Sequence, residues 1–248
     1  LSDLTTDKIT EGKCEEISSK NFSTDDWETI IDAIREGNGS EYAVGSTKEV
    51  NLGTYGTHTL RVANTSTPSE CSGTGFSQSA CGFVLEFADI ITDHKMNDTN
   101  TNVGGWPATS MRTFVNNDIY NAIPSELRSA IIDTTVVSGH GSTSGETNFT
   151  STDKLYLLSP KEIYTDFNDT DDTAKDLTRT LDYYKAQGVT TRNHNGAKKK
   201  NGTNADWWWL RVARSNASNN FYYVSSIGSY TNNIADDTNG VSPAFRIG

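Results

Sequence analysis

Four histidines are the residues of this chain best suited to acid–base chemistry or to holding a transition metal: His58, His94, His140 and His194. None of them stands in the HExxH spacing of a zinc site, and the chain has no GxSxG elbow, P-loop or GxGxxG motif. His140 lies between Gly139 and Gly141, which would let a substrate approach the backbone. A histidine on a surface loop explains the same pattern more simply, so the sequence predicts a protein that is not an enzyme and that holds no cofactor or metal ion.

An acidic run, Asp166 to Asp172, has the composition of a calcium-binding loop, because oxygen ligands at alternate positions suit a hard cation. However, the glycine that an EF-hand requires at its sixth position is Asp171, and its twelfth position is Leu177 instead of glutamate. The run also precedes a predicted helix at Leu177, and carboxylates stabilise the N-terminus of a helix. We therefore interpret the run as part of a helix start.

Three consecutive tryptophans, Trp207 to Trp209, carry the largest aromatic surface of the chain. In a strand, Trp207 and Trp209 would point to one face of the sheet and Trp208 to the other. Such a strand is either buried on both faces, which is the interpretation we favour, or it exposes one face as a platform on which a sugar could stack.

The overall composition excludes several classes of protein. The 248 residues include 32 Asp and Glu against 21 Lys and Arg, and a net charge of −11 argues against nucleic acid as a partner. No apolar run reaches about 18 residues, so we expect no insertion into a membrane. The chain begins at Leu1, and we expect a leader or a longer parent chain to have been trimmed. Cys71 and Cys81 could form a disulfide or remain free thiols, and both alternatives stay open.

The elements that must position these residues follow an α+β order, with helices mostly in the middle of one domain and strands toward both ends. Helices are predicted from Trp27 and over Trp106–Asn117, Pro124–Ile132 and Leu177–Gln187. A solvated loop is predicted to carry Lys198–Lys200. Strands are predicted within Tyr42–Val62 and over Gly82–Ile91, Thr134–Ser138, Lys154–Leu158, Asp206–Val212, Phe221–Val224 and Val241–Ile247.

The C-terminal segment contains a distinctive order of aromatic, arginine and glycine residues. Trp208-Trp-Leu-Arg211 is followed by Phe221, Val224 and Gly228, and then by Gly240-Val-Ser-Pro-Ala-Phe-Arg246. This order resembles the ending of bacterial, archaeal and phage domains with the C-type lectin fold, whose motifs are WWLR, F-x-x-V-x-x-x-G and GV-x-PAFR. Two upstream elements are also similar to those domains: Leu155 to Ser159 followed by Glu162, and Trp27 followed by Tyr42-Ala-Val-Gly45.

Within that fold, the chain resembles the variable proteins of diversity-generating retroelements. The resemblance implies that residues 213–240 are the variable ligand-binding region, rewritten by reverse transcription with errors at adenines of Asn codons. Every residue at the implied variable positions is Asn or lies one adenine change from an AAY codon. Those twelve candidate positions are Tyr223, Ser225, Ser226, Ile227, Ser229, Thr231, Asn232, Asn233, Ile234, Asp236, Asp237 and Asn239.

The resemblance implies a single domain over residues 1–248 with a C-type lectin-like fold: mixed antiparallel strands, two to three helices and long polar loops. Phe221, Val224, Gly228 and Tyr230 would hold the backbone, while the candidate positions face solvent. The implied function is adhesion or receptor recognition outside the cell, at a cell surface or on a virion. The implied partner is a surface protein or glycan of a host or neighbouring cell. The alternative is a glycan-binding adhesin module of the same fold that is not diversified. A hydrolase is a third and less favoured function.

Overall fold

The computed structural model describes residues 20–139, 148–168, 176–215 and 217–248. It has the predicted mixed α+β character with mostly antiparallel sheets, but the described residues contain six short helices instead of the expected two to three. The described helices are α1 (Trp27–Arg35), α2 (Ser110–Phe114), α3 (Tyr120–Ala122), α4 (Ser125–Ser129), α5 (Pro160–Ile163) and α6 (Asp182–Ala186). The first seven strands are β1 (Thr47–Asn51), β2 (Thr57–Asn64), β3 (Val84–Phe87), β4 (Thr92–Lys95), β5 (Thr134–Ser138), β6 (Phe149–Asp153) and β7 (Lys199–Asn201). The C-terminal strands are β8 (Asn204–Asp206), β9 (Trp208–Ala213), β10 (Asn220–Val224), β11 (Tyr230–Ile234), β12 (Thr238–Val241) and β13 (Ala244–Arg246).

Helix α1 is the predicted helix at Trp27, and Asp26 caps its start. The Asp26 side chain accepts a hydrogen bond of 2.8 Å from the backbone N–H of Thr29. Trp27, Ile30 and Ile31 are buried, as the apolar spacing predicts.

The three other predicted helices are shorter or broken, and Pro124–Ile132 is helical only over α4. Within Trp106–Asn117 the regular helix starts only at Ser110, because Thr109 caps it by accepting from the N–H of Arg112. A π-helical turn, Val115–Ile119, then separates α2 from α3. The predicted helix over Leu177–Gln187 forms only as α6, because Thr178 and Arg179 bond to Glu162 and Asn64 in other parts of the fold.

Two main sheets form the centre of the domain. The first has the order β1-β2-β3-β13 and is antiparallel throughout. The second has the order β11-β10-β9-β12-β4 and is antiparallel except for the β9–β12 pair. Pairs β5–β6 and β7–β8 form separate two-stranded ribbons. All five residues of edge strand β11 are candidate or frame positions, and all are partly exposed. The hairpin formed by β10 and β11 therefore lies at the surface.

Four strand predictions are wrong in their bounds. Of the strand predicted over Gly82–Ile91, only Val84–Phe87 forms, as β3, and Asp206–Val212 divides at Trp207 between β8 and β9. Lys154–Leu158 is not a strand, because the side chain of Asn116 takes up the N–H groups of Lys154 and Leu155, leaving one bridge at Tyr156. The segment Val241–Ile247 divides between β12 and β13, because Pro243 has no N–H to donate to a sheet ladder. Strand β13 pairs with β3, which returns the end of the chain to the sheet that contains β1 and β2.

A buried ion pair connects two of the motifs on which the sequence resemblance depends. Arg211 in β9 donates from its two terminal nitrogens to the Glu162 carboxylate, at 2.6 Å and 2.9 Å. Glu162 also completes a capping box with Ser159 at the start of α5. Asp176 lies 3.7 Å from the same guanidinium, and burial raises the pKa of its carboxyl to about 6, although Arg211 opposes that shift.

A second buried cluster corrects the prediction of a solvated loop at Lys198–Lys200. Lys199 is 1% exposed, and its ammonium group donates to the Glu86 carboxylate at 2.7 Å and to Ser242 at 2.9 Å. Burial alone would raise the pKa of Glu86, but the charges of Arg61 and Lys199 outweigh burial and bring it to about 2. The middle lysine of the run therefore joins β7 to β3.

A disulfide joins Cys71 to Cys81, which decides between the two alternatives that the sequence left open. The third cysteine, Cys14, lies outside the described residues.

Candidate functional site

The hairpin formed by β10 and β11 carries most of the candidate positions, and buried residues hold it in place. Phe221 and Val224 in β10 are fully buried, on either side of the candidate position Tyr223. Tyr230 packs against Tyr164 and Phe167, with ring centroids 5.6 Å and 4.7 Å apart. These three residues behave as the sequence predicts for a fixed frame.

Gly228 holds the turn of this hairpin against the rest of the domain. Its φ is +92°, and a Cβ at this position would lie 2.1 Å from the backbone oxygen of His194. The Tyr164 hydroxyl donates a hydrogen bond of 2.6 Å to the carbonyl oxygen of Gly228. Both the backbone conformation and the close approach therefore require glycine.

Exposure separates the candidate positions into two groups. Ten of the twelve are partly or fully exposed, with Ile227 reaching 61%. Tyr223 and Asn239 are buried, at 8% and 6% exposed, so the prediction that all twelve face solvent is wrong for these two. Tyr223 is covered because its ring contacts both Trp207 and Trp209, with centroids 5.5 Å and 6.1 Å apart, and this burial raises the pKa of its phenol.

The candidate positions do not form one continuous face. Because side chains alternate along a strand and cross-strand partners share a face, Tyr223, Thr231 and Asn233 lie on one side of the hairpin. Asn232 and Ile234 lie on the opposite side. The side-chain oxygen of Asn232 accepts from Arg214 at 2.9 Å and from Asn220 at 2.8 Å, so this position is tied into the fold.

The β10–β11 turn contains a third group of candidate positions. Ser225 and Ser229 close the turn through a backbone hydrogen bond of 2.8 Å and paired hydroxyls 2.9 Å apart. Ser226 is partly exposed beside them, and the Ile227 side chain projects into solvent. The turn therefore presents an apolar side chain on a rigid backbone.

The three remaining candidate positions meet Asn233 at a cleft of about 400 Å³ next to the start of β9. Asn233, Asp236, Asp237 and Asn239 line it on the side of the variable region. Five residues that are not candidate positions complete the lining, and we call the whole the acidic cleft: Asp93, Asp206, Trp207, Thr238 and Gly240.

Trp207 and Asp93 show what the sequence could and could not locate. Trp208 and Trp209 are fully buried, as predicted for a core strand, whereas Trp207 is 45% exposed at the cleft. The tryptophan run was the signal for this residue. No local signal identified Asp93, because it reaches the cleft only through the pairing of β4 with β12.

The polar groups of the acidic cleft are incompletely satisfied. Asp237 accepts a hydrogen bond of 2.8 Å from the Asn233 side chain, and Asp206 accepts one of 2.8 Å from the backbone N–H of Trp207. The Oδ1 atom of Asp236 and the Nδ2 atom of Asn239 are buried and have no hydrogen-bond partner. Uncompensated buried polar atoms are rare in folded proteins and call for an explanation.

The acidic cleft also lacks positive charge. Neither lysine nor arginine lines it, and within the described residues none of its four carboxylates forms an ion pair. Across the described residues, no group of three or more His, Cys, Asp or Glu side chains is placed to hold a metal ion. The cleft can therefore attract a cation through carboxylates that are spread around its rim.

The histidines that the structure describes are engaged in the fold. His58 lies 3.2 Å from Asp89, and this hydrogen bond raises the pKa of the imidazole. His94 stacks on Phe114 with centroids 4.2 Å apart, and the His194 ring lies 2.9 Å from the carbonyl oxygen of Ile227. His140 lies outside the described residues.

The acidic run considered as a calcium loop is described only in part. Asp166 accepts two hydrogen bonds from Thr191, at 2.7 Å and 2.9 Å. Residues 169–172 lie outside the described residues.

Comparison with known proteins finds one family. A family model with the description "Domain of unknown function (DUF6273)" matches residues 82–248, which include β3 and every residue of the acidic cleft. No curated protein and no solved structure matches the chain. Among the described residues, no helix has the length and apolar character needed to cross a membrane.

Proposed function

The chain belongs to the DUF6273 family, and because that description assigns no activity, we propose its function from the C-terminal surface. The protein recognises a ligand through a hypervariable surface on a C-type lectin-like scaffold. The observation that carries this proposal is the division within residues 221–239. Exchangeable polar side chains are mostly exposed there, whereas the interleaved Phe221, Val224 and Gly228 are buried or have no room for a side chain.

The division makes physical sense for a surface that changes its sequence. Substitutions at exposed positions usually alter the free energy of unfolding by less than about 0.5 kcal/mol. A rigid hairpin also limits the entropy lost when a ligand binds. Tyr, Ser, Asn and Asp are residue types that antibody loops use for adaptable contacts.

The finer proposal, a C-type lectin-like scaffold, is supported by the way its motifs come together. The arginine of the WWLR motif, Arg211, binds Glu162 from the upstream motif in the core. The final strand β13 returns to the sheet that contains β1 to β3. Residues far apart in the sequence thus connect into one domain.

The proposed location is outside the cell, on a cell surface or on a virion. The disulfide Cys71–Cys81 supports it, because such bonds persist in oxidising compartments. The proposed partner is a surface protein or glycan of a host or neighbouring cell. A binding role without catalysis, cofactor or nucleic acid is consistent with the net charge of −11 and with the structural contacts of His58, His94 and His194.

Sequencing tests the proposal most directly. We expect a near-copy of codons 206–248 close to the gene, with Asn codons at the candidate positions, beside a gene for a reverse transcriptase. Among related isolates, changes should concentrate at the candidate positions while the codons for Phe221, Val224 and Gly228 stay constant. A genome without the near-copy, and isolates whose changes are spread evenly along the chain, would refute diversification.

A glycan-binding module that is not diversified is the second candidate, and one observation favours it. Trp207 exposes an aromatic face beside Asp206 and Asn233, a combination suited to stacking on a sugar ring and bonding its hydroxyls. Two results together would support this alternative: the protein binds glycans on an array, and isolates carry identical C-terminal segments.

A further inference from the structure

Resting on the proposed binding function, we propose that the acidic cleft receives a lysine or arginine side chain from a partner protein. Four carboxylates, from Asp93, Asp206, Asp236 and Asp237, surround this opening of about 400 Å³. A cationic side chain that enters it would gain electrostatic attraction from several directions without displacing a lysine or arginine of this chain.

The shape of the cleft favours an extended organic cation over a metal ion. Its carboxylates are not gathered into a group that could coordinate one ion, within the part of the chain that the structure describes. A guanidinium or ammonium group on a flexible stem can instead contact well-separated carboxylates one at a time. Trp207, 45% exposed, adds an aromatic face on which such a cation would stack.

A second, independent observation points to a peptide as the carrier of the cation. Asn239 lines the cleft and is 6% exposed, and its Nδ2 atom has no hydrogen-bond partner. A donor buried in this way lacks an acceptor oxygen. A polypeptide supplies one in its backbone carbonyl, whereas a free polyamine does not.

The cleft combines a constant half with a changeable half. Asp93, Asp206 and Trp207 lie outside the candidate positions, whereas Asn233, Asp236, Asp237 and Asn239 belong to them. The constant half would favour cations in every version of the protein. The changeable half would select among basic segments, and replacing Asp236 and Asp237 by Asn would remove two of the four charges.

The test uses an acetylated and amidated pentapeptide with two arginines between glycines, titrated calorimetrically into the protein. The matched peptide replaces both arginines by citrulline, which keeps the shape and removes the charge. We expect the arginine peptide to bind at least about tenfold more tightly, and its binding to weaken between about 20 mM and about 300 mM salt. Equal binding of the two peptides would overturn the proposal.

Variants locate the binding. Asp236→Asn combined with Asp237→Asn should weaken binding of the arginine peptide about five- to tenfold, because two ion pairs at the surface are lost. The control, Glu28→Gln combined with Glu126→Gln, removes the same charge from another cleft, which also contains Arg35, and should change binding less than about twofold. Equal losses in both double variants would mean that only net charge matters and would overturn the assignment.

Competition identifies the carrier of the cation. Spermidine should displace the arginine peptide only at concentrations at which salt of equal ionic strength also does, because it cannot satisfy Asn239. Displacement by spermidine at much lower concentrations would refute the peptide as the occupant. Failure of these titrations would leave the sequencing test of diversification unaffected, so the two proposals can fail separately.

Discussion

Replacing Gly228 by alanine should displace the β10–β11 turn and destabilise the whole domain. The φ of +92° disfavours any L-residue, and the left-handed region costs about 1–2 kcal/mol for alanine. The new Cβ would also lie 2.1 Å from the backbone oxygen of His194, so either the turn or the backbone at His194 must shift. Forced shifts of this kind cost about 1–3 kcal/mol, which gives a total loss of about 2–5 kcal/mol in the free energy of unfolding.

The matched control is Gly202→Ala in the β7–β8 turn. Its φ is +63°, and a Cβ there would meet nothing within 4 Å. This variant should lower the free energy of unfolding only by the cost of the left-handed backbone conformation, about 1–2 kcal/mol. In a domain of this size, 1 kcal/mol corresponds to a Tm change of about 2–4 °C. We therefore expect Gly228→Ala to melt about 2–12 °C below Gly202→Ala, by calorimetry or circular dichroism. Equal melting temperatures would refute the conclusion that the fold holds this turn by steric contact.

Three further predictions concern stability. Tyr223→Ala should lower the free energy of unfolding by about 3–5 kcal/mol, because the Tyr223 ring fills space beside Trp207 and Trp209. The control Ile227→Ala should change it by less than about 0.5 kcal/mol, because Ile227 is exposed. Equal unfolding midpoints of the two variants in urea would contradict this difference. Burial raises the pKa of Asp176 to about 6, so the folded state binds the extra proton and stability falls by up to about 3 kcal/mol as pH rises from about 4 to about 6. Asp176→Asn should abolish that fall in urea titrations across this range, and an unchanged pH profile would show that another group causes it. Replacing Cys71 and Cys81 by serine should lower the free energy of unfolding by about 2–3 kcal/mol, measured by the same urea titration, because the bridge restricts the unfolded chain. An unchanged midpoint would contradict this prediction.

The sequence predicted those features that depend on neighbouring residues. The apolar spacing after Asp26 indicated the helix at Trp27, and β-branched residues indicated the strand Thr134–Ser138. The alternation within Phe221–Val224 indicated a strand as well, and in the structure this strand begins one residue earlier, at Asn220. In these segments the local preference and the tertiary environment agree.

Side-chain hydrogen bonds from distant segments overrode local preference elsewhere. Asn116 takes the N–H groups of Lys154 and Leu155, so an apolar run that looks like a strand has no ladder partner. Arg179 bonds to Asn64 and to the carbonyl of Ala80, which keeps the segment before α6 from continuing the predicted helix. No sequence window contains both partners of these bonds, so periodicity could not reveal them.

The candidate site shows the same boundary between local and tertiary information. The residue types and their order identified the C-terminal hairpin, its frame residues and Trp207 as the region of interest. The sheet order alone decided that Tyr223 is covered by tryptophans, that Asn232 faces away from Asn233, and that Asp93 joins the acidic cleft. A sequence records which side chains alternate along a strand, but the burial and charge of a site arise where strands distant in sequence become neighbours.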